Sequence, residues 1–200
     1  GTQLNAADPS APMATLLRID RLTILVDCGA SPDFNTDVVD AVKPYAASID
    51  AVLLSSSELR CCGSLPMVLD ILRPDVVVCA TIPTAKVGLL STIAHMLDRH
   101  STAEAEPTLP AAVTTVHAAF KRIREVQFEQ TMKLTPLSGP VSGSAHTTVH
   151  VRALAAGRIA GAAAFMIAHQ SDNVLLCHHA VPESVRCVSV RPFVPPKGAT

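Results

Sequence analysis

Ile49-Asp50-Ala51-Val52-Leu53-Leu54-Ser55-Ser56-Ser57-Glu58-Leu59-Arg60-Cys61-Cys62-Gly63 is the stretch on which the fold turns. Its first part, Ile49 to Leu54, is an apolar run of strand length, the pattern of a strand buried on both faces. A strand of that kind needs a packed layer on each side, which points to a layered α/β domain. Its second part, Ser55 to Gly63, is polar and precedes a short helix. It stands at the carboxyl end of the strand, where α/β sheets build their sites.

Upstream, Thr15–Ile19 and Leu22–Val26 read as paired strands joined at Asp20-Arg21, and Asp27-Cys28-Gly29 ends the second in a loop. Thr36–Val42 reads as a helix that stops near Pro44, because proline disfavours helix at the residue before it. Downstream, Leu65–Leu72 is a helix with Pro66 in its first turn and Pro74 past its end. Val76–Cys79 reads as another buried strand. Pro83–His100 is a long helix in which Val87, Leu90, Ala94 and Leu97 fall at helical spacing. Ser101–Pro110 is a polar loop, and Ala111–Ile123 a helix with Val113, Val116, Phe120 and Ile123 on one side. Strands follow at Val126–Glu129, Lys133–Leu137, Thr147–Leu154, Ala162–Ala168 and Val174–Cys177, with a Gly/Ser/Pro loop at Ser138–Ala145. Alternating strands and helices followed by a run of strands make a mixed α/β domain over residues 1–191. Residues 192–200 form a Pro-rich, irregular tail.

Composition narrows the function. The chain has 200 residues and a net charge of −1, so it is not a general polyanion binder. It has no Trp and one Tyr, which speaks against an aromatic base-stacking platform. No run of 18 apolar residues exists and no membrane span is expected. No signal peptide opens the chain, so its six cysteines are expected reduced, in an intracellular compartment.

Taken singly, the motifs are weak. Glu58 and Cys61 are zinc-ligand residue types, but Arg60 between them is a fixed cation. Adjacent His178 and His179 on an extended segment point to opposite faces and do not easily clasp one ion. Gly157-Arg158-Ile159-Ala160-Gly161 lacks the spacing and following helix of a phosphate loop and reads as a tight turn. The serines at 55–57 stand outside any Gly-x-Ser-x-Gly elbow, which discounts serine hydrolase chemistry.

Together these loops resemble the metallo-β-lactamase/beta-CASP family. Ile24-Leu25-Val26-Asp27-Cys28-Gly29 is similar to its first signature, a strand ending in Asp and Gly. Ile49 to Ser55 followed by Gly63-Ser64-Leu65-Pro66 resembles the frame of the second, H-x-H-x-D-H. Ala80-Thr81-Ile82-Pro83, Lys86, Gly88 and Ala118-Ala119-Phe120 before Val126-Gln127-Phe128 strengthen the likeness. It runs from about Leu4 to about Val188 and is most specific over residues 15–100. It implies an αββα sandwich, of which this chain is the N-terminal part without the beta-CASP insert. An incomplete sandwich would leave one sheet face bare and apolar.

The departures carry the functional expectation. At the family's H-x-H-x-D-H positions stand Ser56, Glu58, Arg60 and Cys61. The third signature, Ala-Gly-His, is Ala156-Gly157-Arg158. The fourth, an Asp after a strand, falls on His179 with a margin of one residue. Of the first signature Asp27 remains, which in the family mainly orders the neighbouring loop. Metal-dependent hydrolysis needs a cage that lowers the pKa of bound water, and guanidiniums do not coordinate cations. The resemblance therefore implies a pseudo-nuclease with no metal and no cofactor. Arg60 and Arg158 would pair with Glu58 in place of metal charge, or hold an RNA phosphate.

The members most alike are non-catalytic subunits of the pre-mRNA cleavage and polyadenylation machinery. That implies a nuclear scaffold pairing with a catalytic nuclease paralogue and other processing subunits, in reach of pre-mRNA, with no membrane and no small-molecule substrate. Two rivals stand beside it. One is a metal-dependent nuclease with a site rebuilt from Glu58, Cys61 and His179. The other is a fold relic serving another ribonucleoprotein assembly.

Overall fold

The computed structural model describes residues 2–3, 11–102, 109–137, 148–157, 159–170 and 172–178. Strands β1 (Thr2–Gln3), β2 (Thr15–Ile19), β3 (Leu22–Val26), β4 (Ala51–Leu53), β5 (Val77–Thr81) and β6 (Ile123–Val126) form one sheet in that order. The pairs β1–β2 and β2–β3 are antiparallel, and β3 through β6 run parallel. Parallel neighbours require crossovers, and helices supply them. These are α1 (Asp37–Val42) with a 3₁₀ turn (Lys43–Ser48), α2 (Leu59–Cys62) with α3 (Leu65–Ile71), and α4 (Ile82–Thr102) with α5 (Leu109–Lys121). A second, antiparallel sheet holds β7 (Thr131–Leu134), β8 (Val149–Ala155), β9 (Ala163–His169) and β10 (Asp172–Leu176), in the order β10-β9-β8-β7.

Strand alternation distributes the core between layers. On β3 and β4, Leu25 and Val52 pack with Leu65, Val68, Val116 and Phe120 against the helices. Their neighbours Ile24, Val26 and Leu53 pack between the sheets with Phe165, Ile167 and Val151. Phe165 is fully buried there. The described residues thus supply a helical layer and both sheets of the expected sandwich.

Several boundaries differ from the sequence reading. Val126–Glu129 is not a strand: β6 occupies Ile123–Val126, taking Ile123 out of the preceding helix. Residues 127–130 turn, with Glu129 at φ 65 and the Gln127 N–H donating to Gln130 Oε1. Leu59–Cys62, expected as part of the polar segment ahead of the next helix, is itself a short helix. Pro44 ends regular α-helix as expected, but the chain continues in 3₁₀ form to Ser48.

The face of α4 carrying Val87, Leu90, Ala94 and Leu97 points outward. The opposite face, with Ala85, Gly88 and Thr92, meets the core. On the outer side of the second sheet, Leu154, Ala164 and Met166 are buried and cluster with Leu175 and Cys177. The loop at Ser138–Ala145 and the tail at 192–200 lie outside the described residues.

Candidate functional site

The parallel register sets Val26 against Leu53, so the chain leaves β3 and β4 side by side. Asp27 follows β3 at φ 63, a left-handed conformation unusual for a side-chain-bearing residue and more tolerable for Asp. Its backbone N–H donates to Leu53 O at 2.9 Å. The side chain is fully buried. Oδ1 accepts the Ser55 N–H at 2.7 Å, and Oδ2 accepts the Ser55 hydroxyl at 2.6 Å. His178 Nδ1 lies 3.0 Å from the same Oδ2. A carboxylate only accepts, which places the shared proton on Nδ1. A buried carboxylate is costly unless such donors surround it. Asp27 is therefore the knot that ties β3, β4 and the end of β10 together.

Beyond Asp27 the two loops are zipped. Cys28 N–H donates to Cys61 O, Ala30 N–H to Leu59 O, and Ser64 N–H to Cys28 O, all within 2.8–2.9 Å. The Ser64 hydroxyl donates to Gly29 O at 2.7 Å. Met13 joins as a third strand of backbone, giving its N–H to Arg60 O and accepting from Gly29 N–H. Gly29 sits so close that a Cβ there would lie 1.8 Å from Arg60 O. Only glycine fits this approach.

Ser56, Glu58, Arg60 and Cys61 all stand on this rim. Ser56 is fully buried, its hydroxyl accepting the Glu58 N–H at 3.3 Å. Arg60 Nε lies 3.3 Å from Glu58 Oε2, with both side chains about a quarter exposed. The expected pairing of Glu58 with an arginine is thus present for Arg60. Cys61 is buried, with its sulfur 4.0 Å from Met13 Sδ. Burial, and after it the charge of Asp27, raises the Cys61 thiol well above its ordinary range. The same two causes push Cys62 up to about 12. Burial raises Cys28 too, with Cys62 and Asp27 adding to it.

These residues do not fit a metal. The Glu58 carboxylate faces a guanidinium, and serine is a poor substitute for histidine. Among the described residues no group of three or more His, Cys, Asp and Glu side chains is arranged to hold an ion.

Arg158 and His179 lie outside the described residues. The neighbour that reaches Asp27 is His178, one residue before the expected fourth-signature position. Sequence reasoning named that histidine but assigned it no partner. The strand-end position after β10 was the available signal, since its direction could be settled only by the pairing of β10 with β9.

Besides His178, two further contacts join this end of the first sheet to the second sheet and the loop before β9. Ser55 O accepts the Ala163 N–H at 2.8 Å. Gly161 O accepts the Thr81 and Thr84 hydroxyls at 2.6 and 2.9 Å, at the start of α4.

Two sheets packed face to face, helices on one of them, and strand-end loops gathered around Asp27 define a metallo-β-lactamase frame. The chain belongs to the metallo-β-lactamase superfamily: the profile of the metallo-beta-lactamase superfamily domain matches residues 16–181.

Among curated proteins it is similar to a probable cleavage and polyadenylation specificity factor subunit 2 of Caenorhabditis elegans, 28% identical over 174 residues. That match covers 86% of this chain and 19% of the relative. The Arabidopsis thaliana cleavage and polyadenylation specificity factor subunit 2 is 26% identical over 140 residues, covering 70% of this chain and 18% of the relative. The chain therefore spans about a fifth of the length of these relatives.

Solved structures agree on the fold. A metallo-β-lactamase of Cronobacter sakazakii matches with a TM-score of 0.52 at 15% identity, over 86% of this chain and 58% of its own. MEM-A1, a subclass B3 metallo-beta-lactamase from a soil metagenome library, matches at 0.50 and 16%, over 83% and 56%.

Proposed function

We propose that this chain belongs to a non-catalytic scaffold subunit of the nuclear machinery that cleaves and polyadenylates pre-mRNA. What supports the proposal is that buried Ser56, a Glu58–Arg60 ion pair and buried Cys61 stand where the family resemblance puts metal ligands. Activating water for phosphodiester hydrolysis calls for a bound cation, and this rim supplies a guanidinium instead. The curated relatives named as cleavage and polyadenylation specificity factor subunit 2 support the choice of machinery.

In this reading the domain keeps the shape of a nuclease and pairs with a catalytic paralogue and other processing subunits. Arg60 and Arg158 face RNA phosphate as that paralogue works. Asp27, with Ser55 and His178, keeps the strand ends in place after the loss of metal.

Purified protein, assayed by elemental analysis and with a labelled RNA, tests the proposal. Absence of both stoichiometric zinc and cleavage is expected. Near-stoichiometric zinc that is lost on Glu58→Ala or Cys61→Ala would overturn it in favour of a rebuilt nuclease. Affinity purification of the native protein addresses the machinery separately. Polyadenylation subunits are expected, and a different ribonucleoprotein as the stable partner would remove the assignment. RNA affinity unchanged by Arg60→Ala would remove the phosphate contact alone.

A further inference from the structure

The outer face of α4 is apolar where solvent would ordinarily meet polar side chains. Leu90 is 65% exposed, Leu97 46% and Val87 45%. Scattered apolar residues on a surface need no explanation, but these are not scattered. Lys86, Leu90 and Leu97 lie at i, i+4 and i+11 and follow one ridge of the helix.

Beside that ridge, between α4 and α5, runs a groove of about 400 Å³. Ala85, Leu89 and Phe120 form its apolar floor, and Lys86, His117 and Lys121 stand on its rim. Glu125, the acid among its lining residues, lies 2.8 Å from Lys86. The groove therefore combines an apolar floor, an apolar wall and a net positive rim.

We infer that the α4–α5 groove docks an acidic amphipathic helix of a partner protein. Two packed helices present a groove in which a third lays i, i+3, i+4 and i+7 anchors. At 1.5 Å per residue, the α5 side of the groove from Thr114 to Lys121 spans about 10 Å, or two turns of such a helix. Its apolar anchors meet Leu89, Leu90 and Phe120, and its carboxylates meet Lys121, His117 and Lys86. A second copy of this chain is a poor occupant, because it would bring the same positive rim to the interface. RNA is a poorer one: the floor is apolar and the Phe120 ring is buried, so no aromatic face is left for a base to stack on. The inference stands whether or not the domain hydrolyses RNA.

Photocrosslinking tests it. The full-length protein is expressed in its own cells with a photoreactive phenylalanine analogue replacing Leu90, and separately Asp33 as an exposed control. The crosslinked peptides are then sequenced. Position 90 is expected to capture one recurrent segment with helical apolar spacing and an excess of Asp and Glu. A synthetic peptide of that segment is expected to bind about tenfold more weakly to Leu90→Glu and to Lys121→Glu, with unchanged melting temperatures. Crosslinks from position 90 to RNA, to a second copy of the chain, to segments without net acidity, or to nothing beyond the Asp33 control overturn the inference.

Discussion

The loop cluster around Asp27 and the outer face of α4 are opposites. In the cluster, the Asp27 carboxylate is ringed by partners and the backbones of 13, 28–30 and 59–64 are cross-bonded. Leu90 on α4 is open to water. The loops of the cluster are closed on one another by hydrogen bonds, an ion pair and buried thiols. The outer face of α4 is an apolar surface that the described residues leave exposed. Rigidity belongs to the first region, recognition to the second.

Alkaline pH should separate them most. Folded Cys62 and Cys79 sit at about 12 and about 11, against an ordinary thiol value of 9.0. Burial is the main cause in both, and it also raises Cys28 and Cys61. Above pH 9 the unfolded thiols ionise while the folded ones keep their protons. The unfolded state then binds fewer protons, so stability falls as pH rises from 9 towards 11. Each buried thiol contributes a slope of about 1 kcal/mol per pH unit. Urea unfolding at pH 8 and pH 10 should show several kcal/mol of loss. Cys62→Ala should flatten that slope and Leu90→Glu should leave it alone. Equal slopes in wild type and Cys62→Ala would mean that this thiol ionises freely.

Gly29→Ala is the sharpest single break in the cluster. Its new methyl meets Arg60 O at 1.8 Å, and a carbonyl held by Met13 cannot simply retreat. A loss of about 3 kcal/mol is expected, at the upper end of overpacking costs. Leu90→Glu, in contrast, should stay within about 0.5 kcal/mol, as surface changes do. Chemical denaturation of the two variants side by side measures the difference. Comparable losses would erase the distinction between closed and open regions.

Asp27→Asn should follow with about 2 kcal/mol, because the amide nitrogen then either opposes the Ser55 N–H or forces the Ser55 hydroxyl and His178 to turn from donors to acceptors. Asp33→Asn, on an exposed loop, serves as its reference. A loss at Asp27 no larger than at Asp33 would show that the carboxylate is not the tie between the strand ends.

Much of this contrast was legible in the sequence, for physical reasons that differ by residue. The strands Thr15–Ile19 and Leu22–Val26 follow directly from their apolar runs and the Asp20-Arg21 turn. The site positions followed from resemblance: nothing in the spacing of Ser56, Glu58, Arg60 and Cys61 distinguishes a dead metal cage from an ordinary turn. The role of His178 depends on a contact with Asp27 across 151 positions, which no local pattern encodes. The fate of α4 was hidden because the helix is apolar on both sides. Val87, Leu90, Ala94 and Leu97 make as good a stripe as Ala85, Gly88 and Thr92, and only tertiary packing decides which turns inward.

The Arg60–Glu58 pair should give the smallest effect, and its size decides whether Arg60 can turn from Glu58. The two groups are 3.3 Å apart and 22% and 28% exposed. A bridge this wet is screened, so a double-mutant cycle with Arg60→Ala and Glu58→Ala should yield a coupling of about 0.5 kcal/mol. It should shrink further in molar salt. A coupling of that size means that Arg60 neutralises Glu58 without binding it tightly, which leaves the guanidinium able to turn towards a phosphate. A coupling several times larger, and indifferent to salt, would make the pair a structural clasp, as closed as Asp27 and Ser55. Arg60 would then be unavailable for RNA.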